Sequence, residues 1–538
     1  MFDSKISENI NQGGFADFDD IKNECELFDY VNRHGGVAGV TISTDGKTGY
    51  VHLDDGFYIV VGATGSKKTR DVCAPYIVNN AIAGNSMIIT DVKGDLYKTL
   101  SKLLRTLGYT IRVLDFNDPS RGDAYNPMRY LYRAYKDNKR DKVNRELRNT
   151  GDMIFDGMKS EKDPFWTVTG GDLFQGCELV LFEEFNEEQA TIANALNLYT
   201  QGEKKFLGSN YMKEYFSDKE NTQAYKLMAA TLNAPNETKA SIVSVYTSSL
   251  NKLIGQNESL SKMMSHSTFE IEDLVKEKTA VFIIANEVSL SVHSGLITAL
   301  IQQWYDILVE IADKNGGALE RSVAFVLDEF GNLPALIDFQ TKVSLSRARK
   351  IYWMIVIQSF AQLDLRYGKD VARTIVGNTS NWVYMHSPDP ELLKYVSDLT
   401  GVVKDEMGRS SNLLSVNQLR HFQKSNDEGC TECLMLLGRL SPFVTYLPDI
   451  SAYYGVEPMD VLDIPERVDP EVDDIDFKGL VEKRREERLE AMLEENRQKE
   501  MAEKIKREEM LNKKKHQDPM DVSVIMNNVI SRLKGGRN

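Results

Sequence analysis

The 538-residue chain has no run of 18 apolar residues, so no membrane-spanning helix is written in it. Its first residues, MFDSKISENINQGGFADFDD, lack the basic start and apolar centre of a secretory signal. We therefore expect a protein that folds and works in the cytoplasm. Cysteine is scarce: Cys25, Cys73, Cys177, Cys430 and Cys433 are an odd number, thinly spread, and fit reduced thiols better than a disulfide framework. Cys430 and Cys433 have metal-ligand spacing but no second pair, and they lead into the apolar run Leu434–Leu437, so buried structural cysteines are the better reading than zinc. An excess of positive charge is also missing. A net charge of −15 argues against a protein that coats nucleic acid over its whole surface, while leaving room for a local basic channel. No internal repeat is present.

What remains is a soluble globular composition, 42% hydrophobic and 27% charged, long enough for two or three domains. Short apolar runs rich in β-branched and aromatic residues recur at strand length. They are FYIVV (57–61), SMIIT (86–90), TIRVL (110–114), TAVFIIA (279–285), SVAFVL (322–327), IYWMIVI (351–357), NWVYM (381–385) and ECLMLL (432–437). Runs apolar at every position suit strands buried on both faces of a parallel sheet. Helical patterns over Leu96–Leu107 and Leu296–Ala312 alternate with them, which predicts an α/β doubly wound sheet.

Between 129 and 270 the strand-like runs vanish and helical patterning takes over, as in Leu173–Phe185, Tyr225–Leu232 and Ser241–Leu253. This predicts an all-α domain inserted into the sheet domain. The expected boundaries are an acidic segment 1–46, a nucleotide-binding domain 47–128 and 271–465 split by the all-α domain 129–270, and a charged tail 466–538. The stretch MRYLYRAYKDNKRDKVNRELR (128–148) carries eight Lys/Arg against three Asp/Glu. Two readings fit it: a solvated helix face, or a contact patch for phosphate backbones built on Arg133, Lys136, Lys139 and Arg140, with Tyr130, Tyr132 and Tyr135 interleaved for stacking. The tail, KRREERLEAMLEENRQKEMAEKIKREEMLNKKK, reads as a solvated helix held by i,i+4 charge pairs, partly disordered. Val522, Ile525, Val529 and Leu533 near its end have helical spacing and suit docking on a partner or on the same chain.

Polar residues follow four of the apolar runs. FYIVV leads into Gly62–Thr69, SMIIT into Asp91-Val92-Lys93-Gly94-Asp95, SVAFVL into Asp328-Glu329, and IYWMIVI into Gln358. In open α/β sheets, ligands bind beyond the carboxyl ends of the strands. An ordinary strand-end polar group explains any one of these alone; four together suggest one assembled site. GATGSKKT (62–69) approximates the phosphate-cradling pattern G-x-x-x-x-G-K-[ST], with Lys67 where the second glycine belongs. Gly62, Thr64, Gly65, Ser66, Lys67, Lys68, Thr69 and Arg70 are the expected nucleotide-binding residues. Lys68 suits charge neutralisation at the β/γ-phosphates, Thr69 and Asp328 suit Mg²⁺, Glu329 suits orientation or activation of water, and Gln358 suits sensing of the γ-phosphate. Lysine at 67 adds strain of about 1–2 kcal/mol if that position needs positive φ. The reading is an ATPase using ATP and Mg²⁺, with binding surviving Lys67 more readily than fast turnover.

The ordered set of motifs resembles the coupling-protein ATPases of type IV secretion. The matching stretches are LDDGFYIVVGATGSKKTR (53–70), SMIITDVKGDLY (86–97), GYTIRVLDF (108–116), AYNPMRYL (124–131), DPFW (163–166), AFVLDEFGNLP (324–334), SRARKIYWMIVIQSFAQL (346–363) and NWVYMHSPDPELLKYVSDLTG (381–401). The resemblance covers roughly residues 50–450 and implies a RecA-like P-loop NTPase core with an all-α insert. It further implies six subunits around a channel when active, and allows a monomer in isolation. It implies single-stranded DNA, relaxase or relaxosome proteins and the ATPases of the secretion channel as partners. A neighbouring subunit's arginine completes such sites, and Arg349 matches that position, with Arg347 next. The family usually begins with membrane-spanning helices. Their lack here implies a separate membrane anchor protein, with the chain peripheral at the inner face of the membrane, or a missing part. The alternative function is a nucleotide-binding substrate receptor that hydrolyses little because of Lys67.

Overall fold

The computed structural model describes residues 14–36, 38–53, 56–155, 165–255, 257–404, 408–422, 426, 429–438, 440–456, 461–471, 474–517 and 520–533. Most of the acidic opening (1–13), Asp163 and Pro164 of the DPFW motif, and the last five residues lie outside that set. No described helix is long and apolar enough to cross a membrane.

The main compact unit comprises Met1–Leu198 and Glu220–Ile475. It opens with β1 (Cys25–Asp29), β2 (Thr41–Thr44) and β3 (Thr48–His52), an antiparallel sheet in the order β1-β3-β2. The expected boundary at residue 46 falls in the turn between β2 and β3. These strands mix polar and apolar residues, with polar Thr41, Ser43 and His52 among those buried, so they carry none of the continuous apolar signal of the large sheet.

Each apolar run named above forms a strand of one nine-stranded sheet. The chain order is β4 (Phe57–Val61), β5 (Ser86–Asp91), β6 (Thr110–Asp115) and, after the short hairpin β7 (Lys205–Phe206) and β8 (Ser209–Asn210), β9 (Thr279–Ile284), β10 (Val323–Leu327), β11 (Ile351–Ile357) and β12 (Asn381–Tyr384). The small hairpin β13 (Val402–Lys404) and β14 (Ser410–Asn412) precedes β15 (Thr431–Leu436) and β16 (Phe443–Leu447). The spatial order is β16-β15-β12-β4-β11-β10-β5-β9-β6. Pairing is parallel from β12 to β6, and β15 and β16 add antiparallel at one border. Every residue of β4, β5, β9, β10 and β11 is buried, as strands covered by helices on both faces must be. Phe325 stacks on Trp353 with ring centroids 4.3 Å apart beneath the helices of one face.

Both borders of this sheet carry contacts from other parts of the chain. At β16, Thr445 Oγ1 donates to the Ile42 carbonyl at 2.8 Å, and the Ala16 N–H donates to the Pro442 carbonyl at 3.1 Å. At β6, single bridges tie Leu114 to Gly122 and Arg121 to Glu466.

The segment between β6 and β9 is helical, apart from the β7–β8 hairpin. The helix Phe165–Glu184 is buried along most of its length and packs against Arg140–Phe155, Gln223–Leu232 and Asn236–Leu250. The helix Glu287–Lys314 meets this group at Gly295, where an added Cβ would lie 2.4 Å from the Met153 carbonyl oxygen. Glycine is required there for backbone-to-helix contact.

The second compact unit pairs Tyr199–Lys219 with Asp476–Asn538. Its helix Phe477–Gln517 is anchored at its start: the Phe477 N–H donates to Gln201 Oε1 at 2.9 Å, and Arg488 pairs with Glu214 at 2.9 Å. Further along it is solvated and carries i,i+4 pairs such as Glu495–Lys499 at 2.7 Å.

Candidate active site

Strands β4, β11, β10 and β5 are consecutive neighbours, in parallel register, so their carboxyl ends open on one edge. The chain leaving each end carries the predicted polar groups. Sequence separations of up to 294 residues thus collapse to hydrogen-bond distance.

The loop after β4 turns tightly back on the sheet. The Gly62 N–H donates to the Ile357 carbonyl at 3.3 Å and the Ala63 N–H to the His386 carbonyl at 2.8 Å, which fixes the loop to β11 and to the residue after Met385. A Cβ at Gly62 would sit 2.7 Å from Ser66 Oγ and 3.1 Å from Met385 Cβ, so a side chain there would force Ser66 to shift. Gly65 has φ 76 and Lys67 has φ 66. Position 67 therefore does need the left-handed conformation, and lysine adopts it at the strain anticipated from the sequence. Among the described residues, the N–H groups of Lys67, Lys68 and Thr69 have no acceptor, and the buried Ser66 hydroxyl has no partner. A row of free donors at a helix start is what an anionic ligand requires.

Lys68 is buried, and its ammonium donates to the carbonyls of Gly62 at 2.6 Å and Ala63 at 3.0 Å. Burial pushes its pKa down, against the pull of Glu329 and Asp328. Thr69 Oγ1 donates to Asp328 Oδ2 at 3.0 Å. Burial, then the neighbouring Glu329, lifts the Asp328 carboxyl to about 6. Glu329 occupies the left-handed region at φ 53, which turns it off the end of β10 toward Gln358. Gln358 Nε2 donates to both Glu329 oxygens at 3.0 and 2.8 Å, while Thr64 Oγ1 donates to Gln358 Oε1 at 3.0 Å. Lys68, Thr69, Asp328, Glu329, Gln358 and Thr64 thus form one connected cluster. The hydroxyl of Thr69 and the carboxylate of Asp328 are adjacent hard-oxygen donors, a set that fits Mg²⁺ bound through one or two protein groups. The residues present therefore fit both a polyphosphate and its metal.

Other predicted residues sit differently. Arg70 forks onto Asp449 with two contacts of 2.6 Å, tying the loop to the segment after β16. Asp91 is buried and accepts from the Tyr97 N–H at 2.8 Å, serving the helix Asp95–Thr106, while Lys93 and Asp95 are exposed. Arg349 lies before β11, at the opposite edge of the sheet, and pairs with Asp313 at 3.1 Å; Arg347 is exposed beside it. In the basic stretch, Arg133 pairs with Glu187 at 2.8 Å and Glu270 at 3.2 Å, and Lys139 with Asp137 at 3.3 Å. Lys136 and Arg140 lie over the rings of Tyr132 and Tyr135. Sequence reasoning missed Asp449, His386 and Asn332. The first two act through partners remote in sequence. Asn332, which donates to Glu329 Oε2 at 3.4 Å, was visible inside AFVLDEFGNLP.

Comparison with known proteins places this arrangement. Residues 15–436 match the family described as "Type IV secretory system Conjugative DNA transfer". The chain is 25% identical over 375 residues to Protein VirD4 of Rhizobium rhizogenes, covering 69% of this chain and 53% of that protein. It is 22% identical over 374 residues to a probable conjugal transfer protein TraG of Sinorhizobium fredii, covering 68% and 56%. It spans about half the length of the curated relatives it matches. In fold it is similar to plasmid coupling protein TrwB solved with ADP and Mg²⁺, with TM-score 0.55, 14% identity, and 82% of this chain and 93% of that one covered. A trigonal form of TrwBdeltaN70 with sulphate gives TM-score 0.58 at 15% identity, covering 80% and 93%. With most of its length matched and both the strand order and the loop geometry in place, the chain belongs to the type IV secretion coupling proteins of conjugative DNA transfer.

Proposed function

We propose that the protein is an ATP-driven coupling motor that takes a relaxase–single-stranded DNA substrate to a type IV secretion channel. One observation carries the hydrolytic part: Thr69 and Asp328, from two different strand ends, lie 3.0 Å apart beside the buried Lys68. The solved TrwB complex with ADP and Mg²⁺ supports nucleotide as the ligand.

In this reading the free N–H groups of residues 67–69 hold the phosphates of ATP. Lys68 leaves the Gly62 and Ala63 carbonyls and turns to the transferring phosphoryl group. Thr69 and Asp328 hold Mg²⁺, which when bound supplies charge neutralisation at the phosphates. Glu329 orients the attacking water, and Gln358, linked to Glu329 and Thr64, reports whether the γ-phosphate is present. Arg349, remote from its own chain's pocket, serves the pocket of a neighbouring subunit, which calls for a ring of copies, six by family resemblance. Relaxase or relaxosome proteins, channel ATPases and a membrane anchor are the partners this role requires. The proposed division is a nucleotide-binding domain (47–128 and 271–465), an all-α domain (129–270) and a tail (466–538).

A second reading, a receptor that binds nucleotide and hydrolyses little, is favoured by the left-handed Lys67. ATPase assays with and without single-stranded DNA separate the two. The motor gives DNA-stimulated turnover that Lys68→Ala abolishes. Nucleotide binding without turnover, with or without DNA, would establish the receptor instead.

A further inference from the structure

A cavity of about 370 Å³ lies between the inserted helices and the sheet domain. Three elements converge on it: Ser249 and Lys252 from the insert, Ser291 and Ser294 from the first turns of the 28-residue helix Glu287–Lys314, and Arg366 from the helix Phe360–Tyr367. Ser249 is 3% exposed, and its Oγ has no hydrogen-bond partner. A helical serine normally bonds back to its own helix or to solvent, so this buried orphan at the cavity wall points to a ligand acceptor not supplied by the protein. Lys252 is exposed and has no carboxylate within ion-pair distance among the described residues. Arg366 spends one guanidinium nitrogen on the Asn332 carbonyl at 3.3 Å, leaving further donors. The start of a long helix adds a favourable dipole for an anion. Glu287 is the one carboxylate among the lining residues, against two cations. The cations of the stretch 128–148 contrast with this: Arg129 and Arg133 are committed to Glu187 and Glu270, and Lys142 to Glu310.

The cavity is also joined to the active site. Arg366 bonds the carbonyl of Asn332, and the side chain of the same Asn332 donates to Glu329 Oε2 at 3.4 Å. Only one residue separates a ligand on Arg366 from the water-orienting carboxylate.

We propose that this cavity grips the phosphate backbone of a single DNA strand through Lys252, Arg366 and Ser249, and that occupancy is transmitted to Glu329 through Asn332. The inference rests on the reading that the chain handles single-stranded DNA, and it adds where the strand is held and how holding it stimulates hydrolysis. The strand source is preferred over a free anion because apolar residues Leu253, Leu290 and Pro334 share the wall and suit the sugar side of a nucleotide chain.

The test is fluorescence anisotropy of a labelled oligo-dT on the full, nucleotide-free chain across a salt series. Lys252→Ala and Arg366→Ala should each make the log–log salt slope shallower by about 0.7, and together weaken binding roughly tenfold. Glu287→Gln should tighten it. Asn332→Ala should keep the oligonucleotide affinity and lose the DNA stimulation of ATPase. Unaltered affinity and slope in both cation variants overturn the site, and retained stimulation in Asn332→Ala overturns the link. If Arg366→Ala loses binding of inorganic phosphate while oligo-dT binding stays, the cavity takes a free anion and the strand assignment fails. No oligo-dT binding by the unsubstituted chain would defeat the proposed function as well, whereas oligo-dT binding that both cation variants leave intact defeats this inference alone.

Discussion

Thr69 and Asp328, 259 positions apart in the chain, share a hydrogen bond of 3.0 Å in which the threonine hydroxyl donates to a carboxylate held almost wholly out of water. That carboxylate has no cation bonded to it. Ionising it in the nucleotide-free protein is therefore unfavourable, and a magnesium-bound nucleotide relieves the cost.

Asp328→Asn should consequently raise the stability of the nucleotide-free protein by about 1–3 kcal/mol at pH 7.5 while abolishing Mg²⁺-dependent nucleotide binding. Thermal melts with and without Mg²⁺–ATP read both effects. A variant that melts lower and still binds would contradict this account.

The same logic gives a pH dependence. Burial lifts Asp71, Asp91 and Asp328 to about 6 and Glu146 to about 7. Groups whose folded pKa exceeds the unfolded value stabilise the fold fully below the unfolded value, and the benefit is lost as pH rises through the folded one. The nucleotide-free melting temperature should therefore fall between about pH 4 and pH 7. Asp449, held well below the usual carboxylate range by Arg70, acts the other way only in stronger acid. Mg²⁺-dependent nucleotide affinity should run opposite to stability, weakening below about pH 6 as Asp328 takes up a proton.

Lys67→Gly should speed ATP hydrolysis severalfold with little change in melting temperature. Removing left-handed strain gains about 1–2 kcal/mol, and the freedom of glycine in the unfolded chain offsets about 0.5–1 kcal/mol of it. Equal turnover before and after the change would show that lysine at 67 leaves the phosphates correctly placed.

Replacing Arg133, Lys136, Lys139 and Arg140 together with alanine should flatten the salt dependence of single-stranded DNA binding. The expected change in slope is about 1.4, not the roughly 2.8 of four free cations, because Arg133 and Lys139 are already paired with carboxylates. A change near zero would mark the stretch as a solvated face.

Arg349 gives the test of assembly. Arg349→Ala and Lys68→Ala should each be inactive alone. Mixed in equal amounts, they should recover up to about a quarter of unsubstituted turnover, since some neighbouring pairs combine an intact loop with an intact arginine. No recovery on mixing would place Arg349 outside the reaction.

The strands of the large sheet could be read from their composition because burial on both faces forces apolar residues at every position, as in Ile351–Ile357. The polar groups at their ends were readable for the same reason: an abrupt Asp328-Glu329 after VAFVL marks where the covered strand stops. The small sheet β1–β3 was not readable, since polar residues, the buried His52 among them, interrupt strands such as Thr48–His52. β16, FVTYL, alternates at the border of the large sheet and was missed likewise. Nor does local sequence say that Arg70 turns to Asp449, or that Lys68 rests on its own loop carbonyls. Those are choices among partners brought close only by the finished fold.

The capped borders of the nine-stranded sheet have a further implication. With Thr445 and Pro442 engaged by residues near the beginning of the chain, and β6 flanked by its own return segment, part of each flank is occupied, which shortens the edge open to another polypeptide. That disfavours association of copies by adding strand to strand. It favours association built from side chains and loops, a kind of contact that whatever occupies those loops can alter.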